Sequence, residues 1–308
     1  MIFRLQYRRK APSLFRFFVT TYPLNSEKTF GTPVVQLFLE TEITRRLPSG
    51  VDPFDFFSQT RGTVYRNLEG RCTYRITLGD TAYFVKLHQG IGWQELLKNL
   101  FQLRWPVVNA SNEWMAIRRL TELGVKTLQV VGYGNRGINP VKQLSFLITK
   151  ELAQTRSLED LCTPWIHRPP PHHLKLAIIR KLARIAKRIH ENGINHRDFY
   201  LCHFLLDISM TESHLNSDNL TLFLVDLHRA QIRKKTPYRW IVKDLGGLFF
   251  SALDTGLTKR DILRFMEIYT GKPPRRFLVE HSKLWSDVKY RARRIYRKSF
   301  QKEPPLIH

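Results

Sequence analysis

The sequence predicts an α+β chain in two lobes, a small antiparallel β-sheet followed by a mainly helical half. Three observations carry this. Apolar residues alternate at period two over residues 63–88 and strand-like runs return over 127–152. One amphipathic helix lies between those runs. After Leu152 the apolar period becomes helical, with Ile178, Leu182, Ile185 and Ile189 at spacings of four, three and four.

In order, "TVYRNLEGRCTYRITLG" reads as two strands about a turn at Glu69-Gly70, with Tyr74, Ile76 and Leu78 on one face. Gly79-Asp80 turns into a third strand, "TAYFVKLH". "SNEWMAIRRLTELGV" is a helix capped by Ser111 or Asn112, with Trp114, Ile117 and Leu120 inward and Gly124 as its stop. Strands "TLQVVGYG" and "QLSFLITKEL" complete the first lobe, whose end near Lys150–Leu152 is expected to be the interlobe hinge. A short helix at "SLEDLC", a Pro-rich connection at "TPWIHRPPPHH" and the long helix ending at Gly193 open the second lobe. The chain then runs through a loop, strands "YLCHFLLD" and "LTLFLVD", and helices "WIVKDLGGLFFSAL", "TKRDILRFMEIYTG" and a basic tail from about Ser282. Residues 1–49 are expected to be an extension, poorly ordered or interfacial, before a first lobe over 50–152 and a second over 153–308. Arg16 interrupts the N-terminal apolar patch and no small-residue cleavage site follows, so a signal peptide is rejected. No apolar run is long enough to span a bilayer.

The 308 residues carry 50 Lys and Arg against 26 Asp and Glu, a formal net charge of +24. Such a charge calls for an anionic partner: nucleic acid, a membrane surface, a phosphorylated glycan or an acidic protein. Three cysteines without a C-x-x-C pair argue against a disulfide framework or a zinc site and fit reduced thiols in the cytoplasm.

Chemistry concentrates in four acidic and basic positions. Lys86 ends the third strand, Glu113 begins the helix, Asp198 lies in the loop "NHRD", and Asp226 follows the strand of "LVDLH". Lysine on a strand, glutamate on the next helix, aspartate in an H-R-D loop and aspartate after a strand is the order of protein kinases. Each type suits phosphoryl transfer. Lys86 would contact α/β-phosphate oxygens, oriented by Glu113. Asp198 would accept the acceptor's hydroxyl proton, and Asp226 is a hard oxygen ligand for Mg²⁺ on ATP. His203 stands where protein kinases carry the Asn metal ligand; as an awkward Mg²⁺ ligand it could instead hydrogen-bond a phosphate or Asp226. Gly70 is the lone glycine of the first hairpin, which must cover the phosphates, helped by Arg71, and Glu151 in the hinge offers backbone groups to adenine. Asp244 either braces the catalytic loop or simply favours a helix start. G-x-G-x-x-G, D-F-G and A-P-E motifs are absent, and an extra segment runs from Gly90 to Pro106. This is a kinase-like fold without the parts for polypeptide substrates.

"GINHRDFYLCHFLL", "YFVKLHQGIGWQELLKNL", "NEWMAIRRLTELGV", "LVDLHRAQIR" and "KDLGGLFFSALD" resemble the lipopolysaccharide core heptose kinases of Gram-negative bacteria over about residues 50–300. The resemblance implies ATP-dependent phosphorylation of a heptose hydroxyl, most closely the first heptose of the inner core, at the cytoplasmic face of the inner membrane. It implies Asp198 as catalytic, Lys86, Glu113 and Asp226 at nucleotide and metal positions, and His203 as a family feature. Expected partners are the lipopolysaccharide core, the anionic membrane surface and an acidic soluble protein, and not nucleic acid. Alternatives are a kinase for another core sugar or small alcohol, or a pseudokinase scaffold for an acidic partner. The basic stretch 288–302 is the expected docking surface, and Tyr290, Ile295 and Phe300 do not form one apolar stripe that would bury it.

Overall fold

The computed structural model describes residues 35–307, apart from 61, 69, 91–109, 138, 140–142 and 210–218. The first lobe comprises β1 (Val35–Leu39), α1 (Thr41–Thr44), α2 (Pro53–Gln59), β2 (Thr63–Leu68), β3 (Arg71–Leu78), β4 (Thr81–His88), α3 (Ser111–Glu122), β5 (Val130–Arg136) and β6 (Leu144–Lys150). Its strands form one antiparallel sheet in the order β1-β5-β6-β4-β3-β2. The alternation in β4 works as the pleat requires: Tyr83, Val85 and Leu87 are buried, which turns Lys86 to the opposite face. On the buried face, α2 sets Phe54 and Phe57 against Phe146, with centroids 5.1 and 5.0 Å away. Asp52 caps that helix by accepting from Phe54 N at 2.8 Å, and Pro53 supplies its first turn.

Two expectations are corrected here. The lobe begins before residue 50: β1 pairs with β5 at the sheet edge and Ile43 is fully buried, so residues 35–49 belong to the sheet lobe and not to an extension. Residues 1–34, and all of the extra segment except Gly90, lie outside the described residues. The cap of α3 is Ala110, not Ser111 or Asn112. Tyr133 competes for the Ser111 hydroxyl (2.6 Å), and Ser145 Oγ accepts from Ala110 N at 3.1 Å.

The second lobe comprises β7 (Thr155–Ser157), α4 (Leu158–Cys162), α5 (His172–Glu191), β8 (Ile194–Asn195), β9 (Phe204–Asp207), β10 (Leu222–Leu224), β11 (Gln231–Ile232), α6 (Tyr238–Ala252), α7 (Lys259–Thr270), α8 (Pro274–Glu280) and α9 (Ser282–Phe300). Helix α5 buries Leu174, Ile178, Leu182, Ile185 and Ile189 in a core continuous with Ile117, Leu120 and Tyr133 of the first lobe. Each such side chain contributes roughly 1.5–3 kcal/mol. Gly193 ends α5 at φ 78°, and a Cβ there would stand 1.7 Å from the Arg233 carbonyl, so only glycine lets β8 pair with β11. The run "YLCHFLLD" is a strand only from Phe204. Leu201–His203 form a 3₁₀ turn, which swings His203 back toward Asp198. Helix α9 also differs from expectation. Leu284, Val288, Ala292 and Tyr296, four apart, are buried, while Tyr290 and Phe300 are exposed. The buried stripe includes an alanine and starts before the basic stretch, so Tyr290, Ile295 and Phe300 do not mark it. Among the described residues no helix is long and apolar enough to cross a membrane, and all three cysteines are free thiols.

Candidate active site

Position by position, the strand, helix and loop ends bring the expected residues together. Lys86 Nζ donates to Glu113 Oε1 at 2.6 Å, with Glu113 only 3% exposed. A carboxylate so buried is tolerable only when paired, so the contact ties α3 to the sheet and aims the ammonium.

Asp198 and Asp226 are linked through one imidazole. His203 Nδ1 donates to the Asp198 backbone carbonyl at 2.6 Å, and its Nε2 lies 3.3 Å from Asp226 Oδ2. Burial opposes charge on this ring, but the Cys202 side chain, the Asp198 carbonyl and the Asp226 carboxylate outweigh it and lift its pKa to about 9. Asp226 sits in the left-handed region, φ 62°, just after β10. Its Oδ1 accepts from His228 Nδ1 at 2.5 Å. Burial would raise its pKa, yet the His228 hydrogen bond and the charges of His228, Lys86 and His203 hold it well below the carboxylate range. Of the roles open to His203, the approach to Asp226 is seen as an ion-pair contact, Nε2 to Oδ2.

The Asp198 carboxylate receives Arg229 Nη1 on both oxygens, at 3.1 and 3.0 Å. The backbone beneath it is clamped from α6: Asp244 Oδ2 accepts from His196 N at 2.6 Å and Oδ1 from Arg197 N at 2.8 Å. Asp244 is wholly buried and in the middle of α6, so it braces the loop and does not serve the helix start. Arg197 is held at φ 75°, a strained conformation for a side-chain-bearing residue. His196 is buried, its Nε2 2.9 Å from the Val225 carbonyl.

Gly70 has φ 74°, and a Cβ there would come within 2.3 Å of the Gly90 carbonyl. Gln89 N also donates to Gly70 O at 2.9 Å, so the hairpin turn lies directly on the end of β4, two residues beyond Lys86. Glu151 serves differently from expectation. Its N–H is taken by the Ala82 carbonyl at 2.9 Å, and its carboxylate pairs with Arg75 at 3.0 and 2.8 Å. The side chain thus fastens the end of β6 to β3, and its N–H is already used within the sheet. Sequence reasoning missed His228, Arg229 and His88. The first two directly follow Asp226-Leu227, where a D-F-G search finds nothing. His88 is buried beside the charges of Arg71, Lys86 and His228, and burial first and those charges second lower it to about 4.

For Mg²⁺ the donor set is one carboxylate, Asp226, flanked by imidazoles; no group of three His, Cys, Asp or Glu among the described residues could hold a metal. That fits an ion that keeps several waters and binds through a carboxylate and substrate phosphates. It does not fit a metal caged by protein alone.

The model of the lipopolysaccharide kinase (Kdo/WaaP) family matches residues 55–269. The Pseudomonas aeruginosa lipopolysaccharide core heptose(I) kinase WaaP is 47% identical over 262 residues, 85% of this chain and 96% of that protein. The Escherichia coli K12 protein of the same name is 44% identical over 253 residues, 82% and 94% of the two chains. A solved structure of WaaP in complex with acyl carrier protein superposes with a TM-score of 0.73 at 42% identity, covering 85% of this chain and 99% of that one.

Proposed function

The chain belongs to the lipopolysaccharide kinase (Kdo/WaaP) family, and from that premise we propose that it transfers the γ-phosphoryl group of ATP to a hydroxyl of heptose I in the lipopolysaccharide inner core. The observation that carries the chemistry is the pairing of Lys86 with Glu113 while His203 joins Asp198 to Asp226. Lys86 holds the α/β-phosphate oxygens. Asp198 takes the proton of the heptose hydroxyl as its oxygen attacks the γ-phosphorus; the bond to the bridging oxygen breaks and ADP leaves. Arg229 fixes the rotamer of Asp198, and His203 keeps the two aspartates in register. Mg²⁺, held by Asp226, would supply neutralisation of phosphate charge. Gly70 allows the hairpin backbone to approach the phosphates.

The test is incubation of the purified protein with ATP, Mg²⁺ and core lipopolysaccharide lacking heptose phosphate, followed by mass spectrometry of the released core. Phosphate on heptose I is the expected product. Asp226→Asn and Lys86→Met each lower ATP-dependent transfer by about 10²-fold or more, the scale of a lost electrostatic contact at a transferring phosphate. Wild-type levels of product in either variant, or phosphate on a different sugar, refute these assignments.

The acceptor is a glycolipid, and the basic surface is the means of reaching it. Glu303 pairs with both Arg293 and Arg297 on α9, offsetting one of their two charges. Exposed Lys289, Arg294, Lys298 and Lys302 remain, each giving about 1 kcal/mol near an anionic surface, screened within a Debye length. Arg294→Gln with Lys298→Gln and Lys302→Gln is expected to weaken co-sedimentation with phosphatidylglycerol vesicles, as does rising salt. Binding indifferent to both removes α9 as the docking surface. An acidic protein would use the same charge, as the acyl carrier protein bound to the WaaP neighbour suggests.

A further inference from the structure

Where α6 begins, beside the catalytic loop, four cations gather about one indole. The Cζ atoms of Arg197, Arg233 and Arg239 lie 5.1, 5.9 and 5.1 Å from the Trp240 ring centre, and Lys243 Nζ lies 5.2 Å away. Arg233 is occupied by Asn195 and Gln231. Arg197, Arg239 and Lys243 have no ion-pair partner among the described residues. Arg197 Nε and Trp240 Nε1 are buried donors without an acceptor. Burial and then the neighbouring Arg229 lower the Arg197 guanidinium; burial above all lowers the Lys243 ammonium. Like charges held together with unsatisfied donors are costly, and α6 opens without a side-chain cap, its dipole adding to the positive potential.

A negative ligand would relieve all of these at once, and its identity follows from position. Arg197 directly precedes Asp198, and its N–H is held by Asp244, the neighbour of Lys243 on α6, whereas Asp226 is met by His203 and His228. The nucleotide side of the site therefore has its own cations, and those around Trp240 serve the acceptor side. The indole adds a flat apolar face on which a sugar ring can lie.

We propose that Trp240, Arg239 and Lys243, backed by Arg197, form an acceptor subsite for an anionic group, a carboxylate or phosphate, borne by the glycan next to the sugar that is phosphorylated. The inference rests on the sugar-kinase reading of Asp198. It explains how a base that acts on a neutral hydroxyl selects one hydroxyl among many: charge fixes the neighbouring sugar and so the register of the reacting one.

The test is equilibrium binding of delipidated core oligosaccharide, by calorimetry without ATP, so that it reports on the subsite even where no phosphate is transferred. Arg239→Gln and Lys243→Gln each weaken binding by about 10-fold, the size of one charge-assisted hydrogen bond, and leave ATP affinity unchanged. Oligosaccharide that has been carboxyl-reduced, or stripped of phosphate, binds the wild type with the same loss, and the two variants no longer distinguish it from native glycan. Whichever treatment produces the loss identifies the anion. Variant binding within about twofold of wild type, a loss that falls on ATP, or wild-type affinity indifferent to both treatments overturns the proposal. Failure of the sugar-kinase reading shows instead as absent heptose phosphate in the product spectrum.

Discussion

Asp198→Ala is expected to leave a folded protein whose transfer rate is lower by about 10²–10⁴-fold, the usual cost of removing a general base. Nucleotide binding should hardly change, because Lys86 and Asp226 remain. The fold should also survive. The partner stranded by the change, Arg229, is 41% exposed and returns to water, and exposed pairs contribute little to stability. Rapid-quench measurement of phosphotransfer, alongside ATP titration of the same preparation, separates the two effects. Turnover near wild type would remove Asp198 from the reaction, and lost ATP affinity would mean that its role is to build the nucleotide site.

The second large effect is expected at Asp244, which never meets the substrate. Asp244→Ala deletes the acceptor of two short hydrogen bonds and leaves the buried His196 N–H and the part-buried Arg197 N–H unpaired. Unsatisfied buried donors cost about 1–3 kcal/mol each, so the loss is roughly 2–6 kcal/mol, against a total stability of only about 5–15 kcal/mol. Arg197 then relaxes from φ 75°, and Asp198 moves with it. Asp244→Asn should rescue only partly. Both partners are donors, so the amide nitrogen of Asn faces an N–H that it cannot accept. Urea unfolding together with kcat reads this. An Asn variant equal to wild type in both would show that the brace is dispensable.

Why the sequence revealed some of this and not the rest follows from the range of each interaction. Lys86, Glu113, Asp198 and Asp226 were legible because each sits at a fixed place in a local element, and local elements have periods. The buried helix face of Ile117 and Leu120 follows from the same periods. Glu151 was half legible: its place directly after the strand Leu144–Lys150 was clear, but nothing local announces that Arg75, on β3, will claim its carboxylate. Arg229 has no pattern of its own, since its meaning depends on a three-dimensional approach to a residue 31 positions earlier. The burial of α9 was obscured by Ala292, which counts for little in a search for large apolar residues yet lets two helices close up. Residues 35–39 looked like part of a tail because the strand that receives them lies far downstream.

That last pairing has a consequence for how the chain is made. Val35 stands opposite Arg136 in the antiparallel register, and Leu39 opposite Gly132. On the ribosome, β1 has no neighbour in the sheet until β5, the eighth described element of the lobe, has been synthesised. Pairings of such sequence separation form late, because the entropy of closing the intervening loop comes before any contact rewards it. Until then β1 is an unpaired template and β5 an open edge, the kind of surface that captures other chains. The yield of folded enzyme is therefore set by how long a nascent strand stays alone.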